Sequence, residues 1–78
     1  MLVEIDGFFQ QVIIWGPKCN QCELKRMYHD ALTRVTDIKE LAEVFCNVYH
    51  FEIIPYSADM QVDFVIDTDT NRIYSPRY

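Results

Sequence analysis

Two cysteines, Cys19 and Cys22, are separated by two residues at the point where an apolar run, residues 12–15, gives way to a helix-like pattern. The start of a helix offers free backbone N–H groups and the positive end of the helix dipole, and both favour a thiolate over a thiol. Two intervening residues also allow one sulfur to fold back onto the other. The pair therefore predicts thiol–disulfide chemistry, with Cys19 attacking and Cys22 resolving.

Cationic side chains lie close to this pair in the sequence. Lys18 precedes it directly, and Lys25 and Arg26 follow within the next turn. Because cations stabilise a thiolate, we expect the pKa of Cys19 to lie below the free-thiol value of about 8.5. Trp15, just before a Gly-Pro turn, is expected to line the pocket around the pair.

The patterns on either side of the pair predict how it is positioned. Runs rich in β-formers predict strands at residues 2–5, 8–15, 51–56, 62–66 and 72–75. The dipeptide at positions 6–7 predicts a tight hairpin turn, and the polar residues 67–71 predict another turn rather than a calcium loop. Apolar residues recur at helical spacing after Cys22 and again after Asp37, which predicts two amphipathic helices. The helical stripes are Leu24, Met27, Tyr28, Ala31, Leu32 and Val35, then Ile38, Leu41, Ala42, Phe45, Val48 and Tyr49.

These elements predict one α/β domain over residues 1–78, in which residues 12–15 form a central strand of a mixed sheet and both helices pack on it. The aromatic residues at core-like spacings, Phe8 and Phe9 among them, are expected in its interior. The net charge of −5 argues against nucleic acid as a partner, since phosphate binding needs clustered cations. No apolar run is long enough to cross a membrane. An odd number of cysteines, three, favours a cytoplasmic protein over a secreted one.

The motif Pro17-x-Cys19-x-Gln21-Cys22, preceded by a strand and followed by an amphipathic helix, resembles the active-site region of glutaredoxins. It is most similar to that of the short redoxins that reduce ribonucleotide reductase. The resemblance covers residues 12–32. It implies a thioredoxin-like fold, a dithiol mechanism acting on a protein disulfide, and glutathione or a thioredoxin reductase as the electron source. Residues 33–36 are too few for the strand that the family places between its first two helices, which predicts a trimmed or rearranged sheet.

Two alternatives compete with the redox interpretation. Cys46 and His50 are one helical turn apart, and together with Cys19 and Cys22 they could supply a Cys₃His zinc site. The other alternative is an acidic, non-catalytic module that binds or inhibits a partner with a basic surface, for which the chain after Arg72, with its two tyrosines, could form part of the interface.

Overall fold

A computed structural model of the chain describes residues 1–7 and 10–76. Within them, five strands and two helices form a mixed α/β structure, which confirms the predicted fold class of a mixed sheet with two helices. Their bounds, in chain order, are β1 Leu2–Gly7, β2 Gln10–Trp15, α1 Gln21–Leu32, α2 Ile38–Tyr49, β3 Glu52–Ile54, β4 Phe64–Asp67 and β5 Arg72–Tyr74.

The five strands form one sheet in the order β3-β2-β1-β4-β5. β1 pairs in parallel with β4, and every other neighbouring pair is antiparallel. β2, which leads into the cysteine pair, is an interior strand as expected, but the middle place belongs to β1. The chain between α1 and α2 forms no strand, in agreement with the shortness of that segment.

The first hairpin differs from its sequence-based prediction. β1 and β2 stay paired as far as Gly7 opposite Gln10, so Asp6 and Gly7 lie in the strand and not in the turn. Glycine suits this position because a Cβ atom here would clash with Thr68 Oγ1. The turn itself, and the core positions predicted for Phe8 and Phe9, lie outside the described residues.

Both helices pack on the same face of the sheet and enclose the main core. The stripe of α1 is buried or half-buried as predicted, and so is that of α2 except for Val48, which is 42% exposed. Proline ends β3 one residue after Ile54, since it has no N–H to donate to a ladder. The buried core residues on this side are Val3, Ile5, Ile14, Leu24, Tyr28, Ala31, Ile38, Leu41, Ala42, Phe45, Phe51 and Ile66.

The other face of the sheet carries no helix among the described residues, and we call it the open face. Successive strand residues point to opposite sides, so the register assigns each side chain to one face. A loop over residues 55–63 covers part of the open face, where Val62 packs on Ile13 and Val65. The strand residues of the open face are Leu2, Glu4, Asp6, Gln11, Ile13, Trp15, Glu52, Ile54, Val65, Asp67, Arg72 and Tyr74.

The last turn is the polar turn that the sequence predicts. Asp67 Oδ1 accepts hydrogen bonds from the backbone N–H groups of Asp69 and Thr70, at 3.0 and 3.4 Å. Asn71 then adopts a left-handed conformation with φ of 58°, which asparagine tolerates better than most residues. The carboxylate of Asp67 therefore stabilises this turn through its hydrogen bonds to the backbone.

Candidate dithiol site

The cysteine pair lies where the sequence predicts it, at the junction of a strand and a helix. β2 ends at Trp15, a loop follows, and α1 begins at Gln21 with Asn20 as its N-cap. Asn20 Oδ1 accepts a hydrogen bond from the N–H of Glu23 at 2.8 Å, and Glu23 Oε1 accepts one from the N–H of Asn20 at 3.4 Å. This reciprocal capping box fixes the start of the helix between the two cysteines.

The two thiols differ in their surroundings. Cys22 is the second residue of α1 and is exposed, whereas Cys19 lies just before the N-cap and is half-buried against the core. Neither is in a disulfide. A disulfide partner or substrate approaching from solvent would therefore meet Cys22 first.

The pKa of Cys19 is raised, chiefly by burial and secondly by the carboxylate of Glu23; the amino group of Met1 acts in the opposite direction. The prediction of a lowered pKa for this thiol is therefore wrong. Burial removes the water that would solvate a thiolate. The two cations expected to help, Lys25 and Arg26, are exposed on α1.

A hollow of about 440 Å³ lies beside Cys19 at the end of the sheet. Lys18 contributes to its lining, whereas Trp15 is not among the lining residues and is 53% exposed on the open face. The expectation that the tryptophan lines this pocket is therefore not met. The lining residues are Met1, Lys18, Cys19, Asp63 and Phe64.

Two sets of contacts hold the loop before α1. The backbone N–H of Gly16 donates to the carbonyl of Met1 at 3.0 Å, and the N–H of Cys19 donates to Met1 Sδ at 3.5 Å. On the other side, Gln21 Nε2 donates to the carbonyl of Ile73 at 2.7 Å. Gln21 thus ties the start of α1 to the edge strand β5, which is a positioning role.

The remaining residue of the quoted motif, Pro17, lies in the loop between β2 and α1 and is exposed. Its fixed φ angle restricts the loop that presents Cys19. We see no contact that gives it a further role.

The zinc alternative is not supported by the arrangement of its residues. Within residues 1–7 and 10–76, no three His, Cys, Asp or Glu side chains are grouped so that they could hold a metal ion, and all four proposed ligands lie in that part of the chain. His50 instead ends α2 in a left-handed conformation with φ of 63°. Cys46 is half-buried; its pKa is raised mainly by burial, and the backbone N–H of Ile53 bonds to it.

Sequence reasoning missed a group of carboxylates on the open face. Alternation along β1 places Glu4 and Asp6 on one side, and the parallel register sets Asp67 directly opposite Asp6. The pKa of Asp6 is raised to about 7, first by burial, then by a hydrogen bond to Glu4 and by the charges of Glu4 and Asp67. The alternation could be read from the sequence, but the pairing of β1 with β4, which is distant in the chain, could not.

Comparisons with models of protein families, with curated proteins and with solved structures find no match to this chain. Neither of the helices in the described part of the chain has the length and apolar character needed to cross a membrane.

Proposed function

We propose that the protein is a thiol–disulfide oxidoreductase in which Cys22 attacks and Cys19 resolves. The observation that carries the proposal is the placement of an exposed thiol in the first turn of a capped helix, with a second, half-buried thiol three residues before it. Because Cys22 is exposed, a substrate disulfide can reach its sulfur directly from solvent. These roles reverse the assignment made from the sequence, because Cys19 is the less accessible thiol and has a raised pKa.

The reaction balances in two exchange steps. The Cys22 thiolate attacks one sulfur of a protein disulfide, which forms a mixed disulfide and releases the other substrate sulfur as a thiolate. Cys19 then loses its proton and attacks Cys22 Sγ, which closes the Cys19–Cys22 bond and releases the second substrate thiol. The substrate gains two electrons and the protein loses two. An external thiol reductant returns the pair to its reduced state.

The surroundings of Cys19 suit the second step. Lys18 places a cation on the rim of the hollow beside Cys19, where the attacking sulfur becomes negatively charged when it loses its proton. The capping box and the bond from Gln21 to Ile73 hold the backbone that carries both sulfurs. We infer that these contacts keep the two thiols within reach of each other.

The experiment is mixed-disulfide trapping with a small protein disulfide such as insulin. The Cys19→Ser variant should accumulate a covalent complex through Cys22, because the resolving thiol is absent. The Cys22→Ser variant should form no such complex and show no reductase activity. Cys46→Ser is the matched control, and it should reduce insulin as the wild-type protein does.

Complex formation through Cys19 in the Cys22→Ser variant would overturn the assignment of roles. Wild-type protein that reduces neither insulin nor a small mixed disulfide, although both thiols react with an alkylating reagent, would overturn the proposed function itself.

A further inference from the structure

The open face of the sheet combines uncovered aromatic rings with a surplus of negative charge. Trp15 on β2 is 53% exposed and Tyr74 on β5 is 43% exposed, and both point to this face. Large aromatic side chains that stand on strands in contact with water are characteristic of binding surfaces. The surplus negative charge of the same face indicates that its partner is positively charged.

Four carboxylates and one guanidinium group lie among the strand residues of the open face. Three of the acids lie on the adjacent strands β1 and β4, with Asp6 directly opposite Asp67, and Glu52 lies on the edge strand β3. Like charges in opposite positions destabilise a sheet. Arg72 on β5 stands opposite Asp67, so β4 separates it from Asp6. The helices on the other side of the sheet mix the two signs, with Glu23 close to Lys25 on α1 and Glu40 next to Lys39 on α2. The open face therefore has the larger surplus of negative charge.

The Asp6 carboxyl group gives a separate sign that this charge is uncompensated. Its Oδ1 atom is buried and has no hydrogen-bond partner within the described structure. The pKa of Asp6 is raised first by burial, then by a hydrogen bond to Glu4 and by the charges of Glu4 and Asp67. A guanidinium or ammonium group docked on the open face would offset the charges of Glu4 and Asp67 beside it.

We propose that the open face binds a basic segment of a partner protein, whose arginine or lysine side chains meet Glu4, Asp6 and Asp67 and pack against the rings of Trp15 and Tyr74. A cation is attracted to the negative face of an aromatic ring and to the negative charge of a carboxylate. A second copy of this chain would bring the same negative surface, and nucleic acid would bring phosphates. Charge therefore selects a basic protein segment as the occupant.

This surface acts separately from the dithiol, so its test does not depend on the proposed redox function. The probe is a fluorescein-labelled peptide of alternating arginine and alanine, titrated with the full chain, and binding is followed by anisotropy at an ionic strength of about 0.15 M, which screens exposed charges beyond about 8 Å. The double variant Glu4→Gln, Asp67→Asn should bind the peptide roughly tenfold more weakly, which corresponds to about 1.4 kcal/mol.

The matched control is Glu40→Gln, Glu43→Gln, which removes the same charge from the exposed surface of α2. It should bind within about twofold of the wild-type protein once long-range attraction is screened by salt. Trp15, the single tryptophan of the chain, should change its emission when an unlabelled form of the peptide binds.

Circular dichroism confirms that each variant is folded before the comparison. Equal loss of affinity in both double variants would overturn the proposal, since it would show attraction to net charge alone. Failure of the wild-type protein to bind the peptide, or binding with no change in Trp15 emission, would also overturn it.

Discussion

The two cysteines of the pair are chemically different, although the sequence presents them as equivalent thiols. Cys22 is exposed in the first turn of α1, and the pKa of half-buried Cys19 is raised by burial and by Glu23. In fully reduced protein at neutral pH, iodoacetamide should therefore alkylate Cys22 at least several-fold faster than Cys19. Mass spectrometry of peptides at successive times measures the two rates. Faster reaction at Cys19 would contradict the proposed roles.

The carboxylate of Glu23 supplies a matched test of the electrostatics around Cys19. In Glu23→Gln the side-chain oxygen that bonds to the Asn20 N–H is kept, but the negative charge is lost. The pKa of Cys19 should fall, so its alkylation should be faster than in the wild-type protein near pH 8. High salt should narrow the difference, because it screens the charge. An unchanged alkylation profile would show that burial alone sets the pKa.

Cys46 is predicted to stabilise the fold rather than take part in chemistry. Its half-buried sulfur accepts a hydrogen bond from the backbone N–H of Ile53, and this bond connects α2 to the edge strand β3. Cys46→Ala should lower the free energy of unfolding by about 1 kcal/mol, from the lost hydrogen bond and lost packing. Cys22→Ala, at an exposed position, should change it by less than about 0.5 kcal/mol. Urea denaturation measures both, and equal losses would contradict this distinction.

At the scale of elements, the starts of the two helices provide a direct comparison. Asn20 caps α1 through its side chain, whereas Asp37 occupies the N-cap of α2 without a side-chain hydrogen bond. Asn20→Ala should therefore destabilise the protein by about 1 kcal/mol, and Asp37→Ala by a few tenths. Thermal unfolding followed by circular dichroism tests this, and a larger loss in the Asp37 variant would contradict it.

The sequence predicted the type and order of the elements because their signals are local. The helical stripe from Leu24 to Leu32 and the β-rich run before Trp15 can each be recognised within a short stretch of the sequence. Features that depend on distant pairing were not predictable. The parallel pairing of β1 with β4 brings Asp67 beside Asp6, and the packing of Cys19 against the core raises its pKa, which sequence neighbours such as Lys25 did not indicate. The hairpin turn was misplaced because the pairing of β1 with β2 continues through Asp6 and Gly7, which local turn propensity does not reveal.

At the scale of the whole molecule, the carboxylates of the open face make stability depend on pH. The pKa of Asp6 is raised from 3.8 to about 7, so the folded state holds this proton more tightly than the unfolded state. The stabilisation from that proton is complete below pH 3.8 and is lost as the pH rises to about 7.

Replacement of Asp6 by asparagine should remove this dependence. At pH 8 the Asp6→Asn variant should be more stable than the wild-type protein by about 1 kcal/mol, a value reduced for solvent screening because the side chain is partly exposed. The difference should shrink towards zero near pH 4. Urea unfolding across this range measures it, and a constant difference at all pH values would refute the assignment.

The central claim, that Cys19 and Cys22 form a reversible dithiol, is tested most directly by equilibrium with a redox buffer. The protein is incubated in glutathione buffers of graded ratio, quenched with acid, and its thiols are counted by alkylation and mass spectrometry. We predict one reversible transition, in which the chain loses two hydrogen atoms as a Cys19–Cys22 disulfide forms, while Cys46 stays a free thiol. An internal disulfide that never forms, or that involves Cys46 instead, would contradict the account.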